Sequence, residues 1–324
     1  MRLQGVHTKV VARRRRRIAA WITCAVIALA GIAVAAVVPG LRTDATPTPA
    51  DSPSPIRTVE GFPEYAKGAR VVAADSAALS ERRIELTIVP TTLDIVIFSR
   101  CDGTGDTVKL DERLSVNGHF LVGGSCGGST RPTSWAGLDV AVGRSATFVL
   151  TISAAKRFDG TDMVPVAIPD SGTFGLALGV RIPFDQYPLP PRPSGPLAPS
   201  PQPLMAGCTE ELCPDAATVR SDPADPRRPI TRTLTWKTTD SIQMVAQTPG
   251  LLHVRVNGVE VTTGEWWDYQ MSVVGMYGDK DGAWKRDFGL DLKPGDAATI
   301  EIVPEHVTGA WQVVFSPTGA GVGG

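Results

Sequence analysis

Residues 18–38, IAAWITCAVIALAGIAVAAVV, carry no charge over 21 consecutive positions. A helix of about that length rises roughly 30 Å, the thickness of a bilayer's hydrocarbon core. Five arginines, Arg13 to Arg17, stand immediately before the run, and only Arg42 follows closely on the other side. The positive-inside rule therefore predicts a basic cytoplasmic tail (1–17), one transmembrane helix (18–38) and an extracellular C-terminal body in the cell membrane. A cleaved signal peptide is the rival reading, with Ala33-Val34-Ala35 as its cleavage site. The run exceeds the usual h-region of about 7–15 residues, which favours a retained anchor. Both readings export the body. Cys24, in the middle of the run, reads as a small apolar residue of the span.

Charge is distributed unevenly. No acidic residue precedes Asp44, and residues 1–42 hold eight of the 32 Lys and Arg. The rest of the chain sets 24 basic against 33 acidic residues. A mildly acidic body lacks the basic footprint of nucleic-acid binding, so no nucleic-acid partner is expected.

Proline divides the exported part. Residues 39–55 include the Pro/Thr/Ser stalk TDATPTPADSPSP, which cannot bury a core. A second Pro-rich stretch opens a linker over 188–229. Between and beyond lie two modules, 56–187 and 230–318, followed by a short tail, 319–324. Both modules read as β, because their apolar runs are short, rich in β-branched residues and bounded by turn signals. Asn117-Gly118 and Asn257-Gly258 each centre a hairpin pattern. In LDIVIFS (93–99), Asp94 interrupts the apolar face and predicts an exposed end. The fold class is all-β, two β-sandwich-like domains after one N-terminal transmembrane helix. SVNGHFLVGG (115–124) is similar to RVNGVEVTTG (255–264), and GRSATFVL (143–150) to GDAATIEI (295–302). The unequal spacing leaves open whether the modules are duplicates.

Four cysteines fall in the exported region, where thiols oxidise. Three pairings are possible, and Cys101–Cys126 with Cys208–Cys213 keeps each bond within one segment. A zinc site needs closer ligand spacing, so no metal and no cofactor are expected. The stretch GGSCGG (123–128) matches G-x-S-x-G, but STRPTSWAG follows it, with a proline and no helical period, so no nucleophile elbow forms. His119, His253 and His306 share no ligand or triad spacing, and no catalytic residue is assigned. Asp279, Asp281 and Gly282 echo the start of a calcium loop whose remaining ligands are missing, which leaves an acidic turn. GEWWDYQ (264–270) crowds three rings together. Strand alternation sends Trp266 and Trp267 to opposite faces, so that Trp267, with Tyr269 and Trp284, forms the candidate binding surface.

A basic tail, one span, a Pro/Thr stalk and two β modules, with GFPEYAKGARVV (61–72) and FSRCDG (98–103), resemble uncharacterised exported envelope proteins of GC-rich Gram-positive bacteria. The resemblance is one of layout and implies no activity or functional residues. The expected function is a non-enzymatic binding or scaffolding module of the cell envelope, with cell-wall polymer or another envelope protein as partner. The alternative is an extracellular hydrolase acting on cell-wall polymer.

Overall fold

The computed structural model describes residues 57–103, 105, 107–132, 134–197, 216–237, 239–279 and 282–317. The basic tail, the predicted span, most of the stalk, Cys208, Cys213 and the C-terminal tail lie outside the described residues. Among the described residues no helix is long and apolar enough to cross a membrane.

The described chain is all-β. Its first module runs through β1 (Thr58–Val59), β2 (Phe62–Pro63), β3 (Tyr65–Ala66), β4 (Ala69–Ala78), β5 (Arg83–Ile88), β6 (Ile95–Asp102), β7 (Val108–Val116), β8 (His119–Ser125), β9 (Gly128–Thr130), β10 (Ala146–Phe158), β11 (Met163–Val166) and β12 (Thr173–Arg181). The second runs through β13 (Ala217–Arg220), β14 (Ile230–Thr235), β15 (Thr239–Ala246), β16 (Gly250–Val256), β17 (Val259–Trp266), β18 (Val274–Tyr277), the helix α1 (Ala283–Phe288), β19 (Ala297–Glu305) and β20 (Trp311–Pro317). Strand β13 falls inside the segment expected to be linker. It forms because its backbone pairs with β20, from Ala217 opposite Phe315 to Arg220 opposite Gln312.

The two modules repeat one plan. In the first, β4-β12-β6-β9 form one sheet and β5-β10-β7-β8 the other, with β3 and β11 added at edges. In the second, the sheets are β13-β20-β15-β18 and β14-β19-β16-β17. Numbered within each module, both orders are 1-8-3-6 and 2-7-4-5, all antiparallel, which is the strand order of an eight-stranded jelly roll. The likeness extends to single residues. Asn117 and Asn257 open tight hairpins at φ 50° and 49°, followed by Gly118 and Gly258 at 83° and 79°, the positive values that an Asn-Gly turn supplies. Each Asn side chain then accepts a hydrogen bond at 2.8 Å from a threonine N–H on the neighbouring strand, Thr147 in one module and Thr299 in the other. Each hairpin carries a register shift on its second strand at the same place, between Val122 and Phe120 and between Thr262 and Glu260.

Alternation builds the cores. Along β16, Leu252, Val254 and Val256 are buried while Leu251, His253 and Arg255 are less so. In the first module, Leu110, Leu114, Phe148 and Leu150 of one sheet meet Ile97, Leu176 and Leu178 of the other. Burying each such side chain contributes about 1.5–3 kcal/mol before conformational entropy is counted. The Asp94 end of this run is open as expected, with Leu93 41% exposed, while the residues behind it are covered. Ile95 to Phe98 are all buried, because β6 lies inside its sheet and is covered on both faces. Val96 and Phe98 enter a small second core with Phe62 and Val71, beneath the N-terminal strands.

Candidate functional site

The aromatic cluster singled out in the sequence divides three ways. Trp266 ends β17 and points into the core, 2% exposed, as alternation predicts. Trp284 was expected on an outer face but is 1% exposed, packed at 5.2 Å from Trp236. The reason is local. Asp279 accepts the Trp284 N–H at 2.9 Å, which fixes the start of α1 and folds its tryptophan into the sheet interior. The acidic turn thus organises a helix start, and Asp281 lies outside the described residues.

Trp267 does leave the core on the opposite side from Trp266, but it does not face solvent. It is 5% exposed and is buried against the first module. Its indole occupies the space beside Gly68 where a Cβ would stand, and lies 5.1 Å from the Phe184 ring and 4.8 Å from the Tyr187 ring. Arg181 sits over the indole at 5.4 Å and pairs with Glu265 of the second module. Arg131 bridges Asp94 at 2.9 Å and Glu265 at 3.6 Å. His306 stacks on Phe184 at 4.4 Å. Burial, reinforced by the Asp268 carboxylate, pushes the Tyr187 phenol up to about 12. Tyr269 is half-buried nearby in sequence. Trp267 is therefore the anchor of a junction between the modules, and the ring-bearing surface expected there is spent on intramolecular packing. An open cleft of about 650 Å³ runs along this junction, lined by Asp94, Phe184, Leu251, Glu305 and His306. Two of its acids have partners, Asp94 in Arg131 and Glu305 in His253 at 2.9 Å, and Asp185 also lines it.

GGSCGG lies elsewhere. It forms the end of β8 and the corner at which the chain crosses to β9 in the facing sheet, with Gly127 at φ 97°, a backbone angle that glycine adopts freely. The Cys101–Cys126 disulfide pins this corner to β6, with Cα atoms 6.0 Å apart. No strand–turn–helix elbow is present at the motif. Cys208 and Cys213 lie outside the described residues.

The corner leaves a pocket of about 170 Å³ between the sheet edges, walled by Ile97, Leu114, Val122, Leu150 and Leu176 and rimmed by Ser125, Ser129 and Thr130. Glu112 of β7 reaches into it. Its Oε1 accepts a hydrogen bond from the Ser99 hydroxyl at 2.8 Å, while its Oε2 is buried with no partner. Burial pushes the Glu112 carboxyl above the ordinary glutamate range, against the Ser99 hydroxyl and the Gly127 N–H, which favour the ionised form. Glu112 was absent from the candidate residues. Its signal was present in the sequence: it shares the alternating face of Leu110, Leu114 and Val116, so an acid sits in an apolar phase.

Elsewhere, His119 of the exposed β7–β8 hairpin lies 3.4 Å from Asp139. His253 is flanked by Glu305 and, at 3.4 Å, Glu260. No group of three or more metal-ligating side chains converges among the described residues.

No known family and no curated protein matches this chain by sequence. Among solved structures it is similar to a conserved protein of unknown function from Pseudomonas aeruginosa PAO1, at 8% identity over 78% of this chain and 81% of that one, with a TM-score of 0.18. It is also similar to an anti-sigma factor domain-containing protein from Clostridium clariflavum (10% identity, 72% and 79% covered, TM-score 0.19). A third is the major capsid protein P2 of bacteriophage PM2 (8% identity, 75% and 96% covered, TM-score 0.21). At these scores the likenesses carry no conclusion about this chain.

Proposed function

We propose that this protein is a membrane-anchored, extracellular binding module of the cell envelope, held by one N-terminal span with its N-terminus in the cytoplasm. In this reading the β-sandwich-like pair is a scaffold that presents the first-module pocket. The uncharged run behind Arg13 to Arg17 supports the anchor. The Cys101–Cys126 bond supports an oxidising compartment. The observation that carries binding is the buried, unpartnered Glu112 oxygen in an open pocket, because an unmet polar atom costs stability unless something else requires it. Among the described residues a single carboxylate lines that pocket, which suits holding a donor better than the paired acids of glycoside hydrolysis.

The test uses full-length protein in detergent micelles and purified cell-wall polymer, with intact envelope membranes in a parallel arm. Wild-type protein is expected to co-sediment with one of them, and the double variant Ser99→Met, Glu112→Leu, which fills the pocket, is expected to lose most of that retention. Absence of wild-type retention in both arms would defeat the reading. Protease shaving of whole cells checks the orientation, and survival of the C-terminal modules would reverse it.

A further inference from the structure

We infer that the first-module pocket is a binding site for the head of a short primary alkylammonium, with Glu112 as its counter-ion. This rests on reading the chain as a binding module. Glu112 lies opposite Gly124 in the β7–β8 hairpin, and Leu252 lies opposite Gly264 in the β16–β17 hairpin. Each stands five residues before its turn asparagine, so the two positions are equivalent. Two residues beyond the paired glycines stand Cys126 and Trp266. Across the core, Ser99 faces Gly128 at the start of β9, as Met244 faces Val274 at the start of β18.

The second module thus closes this place with Leu252, Met244 and Trp266. The Trp266 ring and the Met244 sulfur lie against Gly264, where a Cβ would meet them at 2.6 and 3.0 Å. The first module puts Glu112, Ser99 and Cys126 at the same three positions, and the corner stays open. The fold does not need an opening here, since its other copy fills the space with apolar side chains.

The chemistry of the opening selects a ligand. Among the described residues no Lys, Arg or His lines the pocket, so an ionised Glu112 has no cation among its described lining residues. The nearest basic side chains on its own strand point away, Arg113 lying over the outer Phe120 ring at 4.7 Å and Lys109 being exposed. Lys156, on the neighbouring β10, is paired with Asp111 at 2.7 Å. An ammonium supplies the missing charge and a donor for Oε2 together, and a charged hydrogen bond of this type is the stronger kind. The aliphatic walls suit a short alkyl stem, and a cavity of this size is comparable to the roughly 150 Å³ that holds benzene in an engineered protein core. The rim hydroxyls of Ser129 and Thr130 lie where the rest of an amine-bearing molecule would emerge. The amine can belong to a free small molecule or to a group borne on envelope polymer.

The experiment titrates full-length protein in detergent micelles with n-butylammonium, n-butanol and butyrate, matched in shape, by calorimetry. Saturable binding of the ammonium alone is expected, weakened at least about tenfold in Glu112→Gln, as loss of a charge-assisted hydrogen bond implies. Equal binding of butanol, or no binding of the ammonium, overturns the inference on wild-type protein without any variant. Undiminished binding by a folded Glu112→Gln protein overturns it as well. Competition by n-butylammonium for wall-polymer retention, against competition by the soluble fraction of the envelope, separates a polymer-borne amine from a free one. If wall or membrane retention persists, and still depends on Ser99 and Glu112, while the ammonium fails, the ammonium assignment falls and the binding-module reading stands.

Discussion

The two modules share a strand order, a turn and an asparagine clamp, yet they spend their interior differently. The second is sealed by tryptophan: Trp236, Trp266, Trp284 and Trp311 all belong to its core. The first has Trp135 in its core and fixes its corner with a disulfide. Where the second module places Leu252, the first places Glu112. The jelly-roll plan thus tolerates either solution at this corner. The acid is therefore a departure with its own cost, since a carboxyl with one unmet oxygen does not stabilise the sheet that holds it.

The largest expected effect lies in the second module. Trp266→Ala is expected to destabilise that module by about 3–5 kcal/mol, because its ring fills space beside Gly264 that the surrounding strands cannot close. Chemical denaturation followed by tryptophan fluorescence measures it, and a loss below about 1 kcal/mol would mean that the corner is not sealed by this ring. The paired change Cys101→Ser with Cys126→Ser is expected to cost the first module about 3 kcal/mol, for a closed loop with a sequence separation of 25. Hydrogen exchange is expected to rise in β8 and β9 while β16 and β17 stay protected. An equal rise in both modules would show that the bond acts on the whole chain.

The junction binds the two halves of the comparison together. Trp267→Ala is expected to cost about 2 kcal/mol and to loosen the pair, since it removes a buried anchor from a well-packed contact. Small-angle scattering should report a larger radius of gyration, and an unchanged curve would show that the ion pairs of Arg181 and Arg131 suffice.

The smallest effect sharpens the contrast at the acid itself. A carboxyl raised by burial binds its proton more tightly in the folded than in the unfolded protein. Its favourable contribution is complete below the ordinary glutamate range and disappears as pH climbs through the raised value. Glu112→Gln is therefore expected to raise the melting temperature at neutral pH and to change it little in acid. A stabilisation that grows toward low pH would contradict the assigned cause. Leu252→Gln in the second module, which has no carboxyl to neutralise, is expected to destabilise at both pH values.

Much of this molecule was legible in the chain. Asn-Gly turns, β-branched runs and proline punctuation are local signals, and local backbone preference decides them, so the all-β class and both hairpins follow from residues a few positions apart. The Cys101–Cys126 pair was the choice among three pairings that keeps the bond within one segment. Alternation along β17 was enough to send Trp266 inward and Trp267 away from it. What lies beyond Trp267 was not legible, because its partners Gly68, Phe184 and Tyr187 are distant in sequence and only the packed modules bring them there. The same holds for β13, whose four residues pair with a strand at the far end of the chain. Period alone puts Glu112 on the core face, but a period cannot say whether that face is filled. That was decided by tertiary structure, because a cavity is the space that side chains from two sheets fail to occupy.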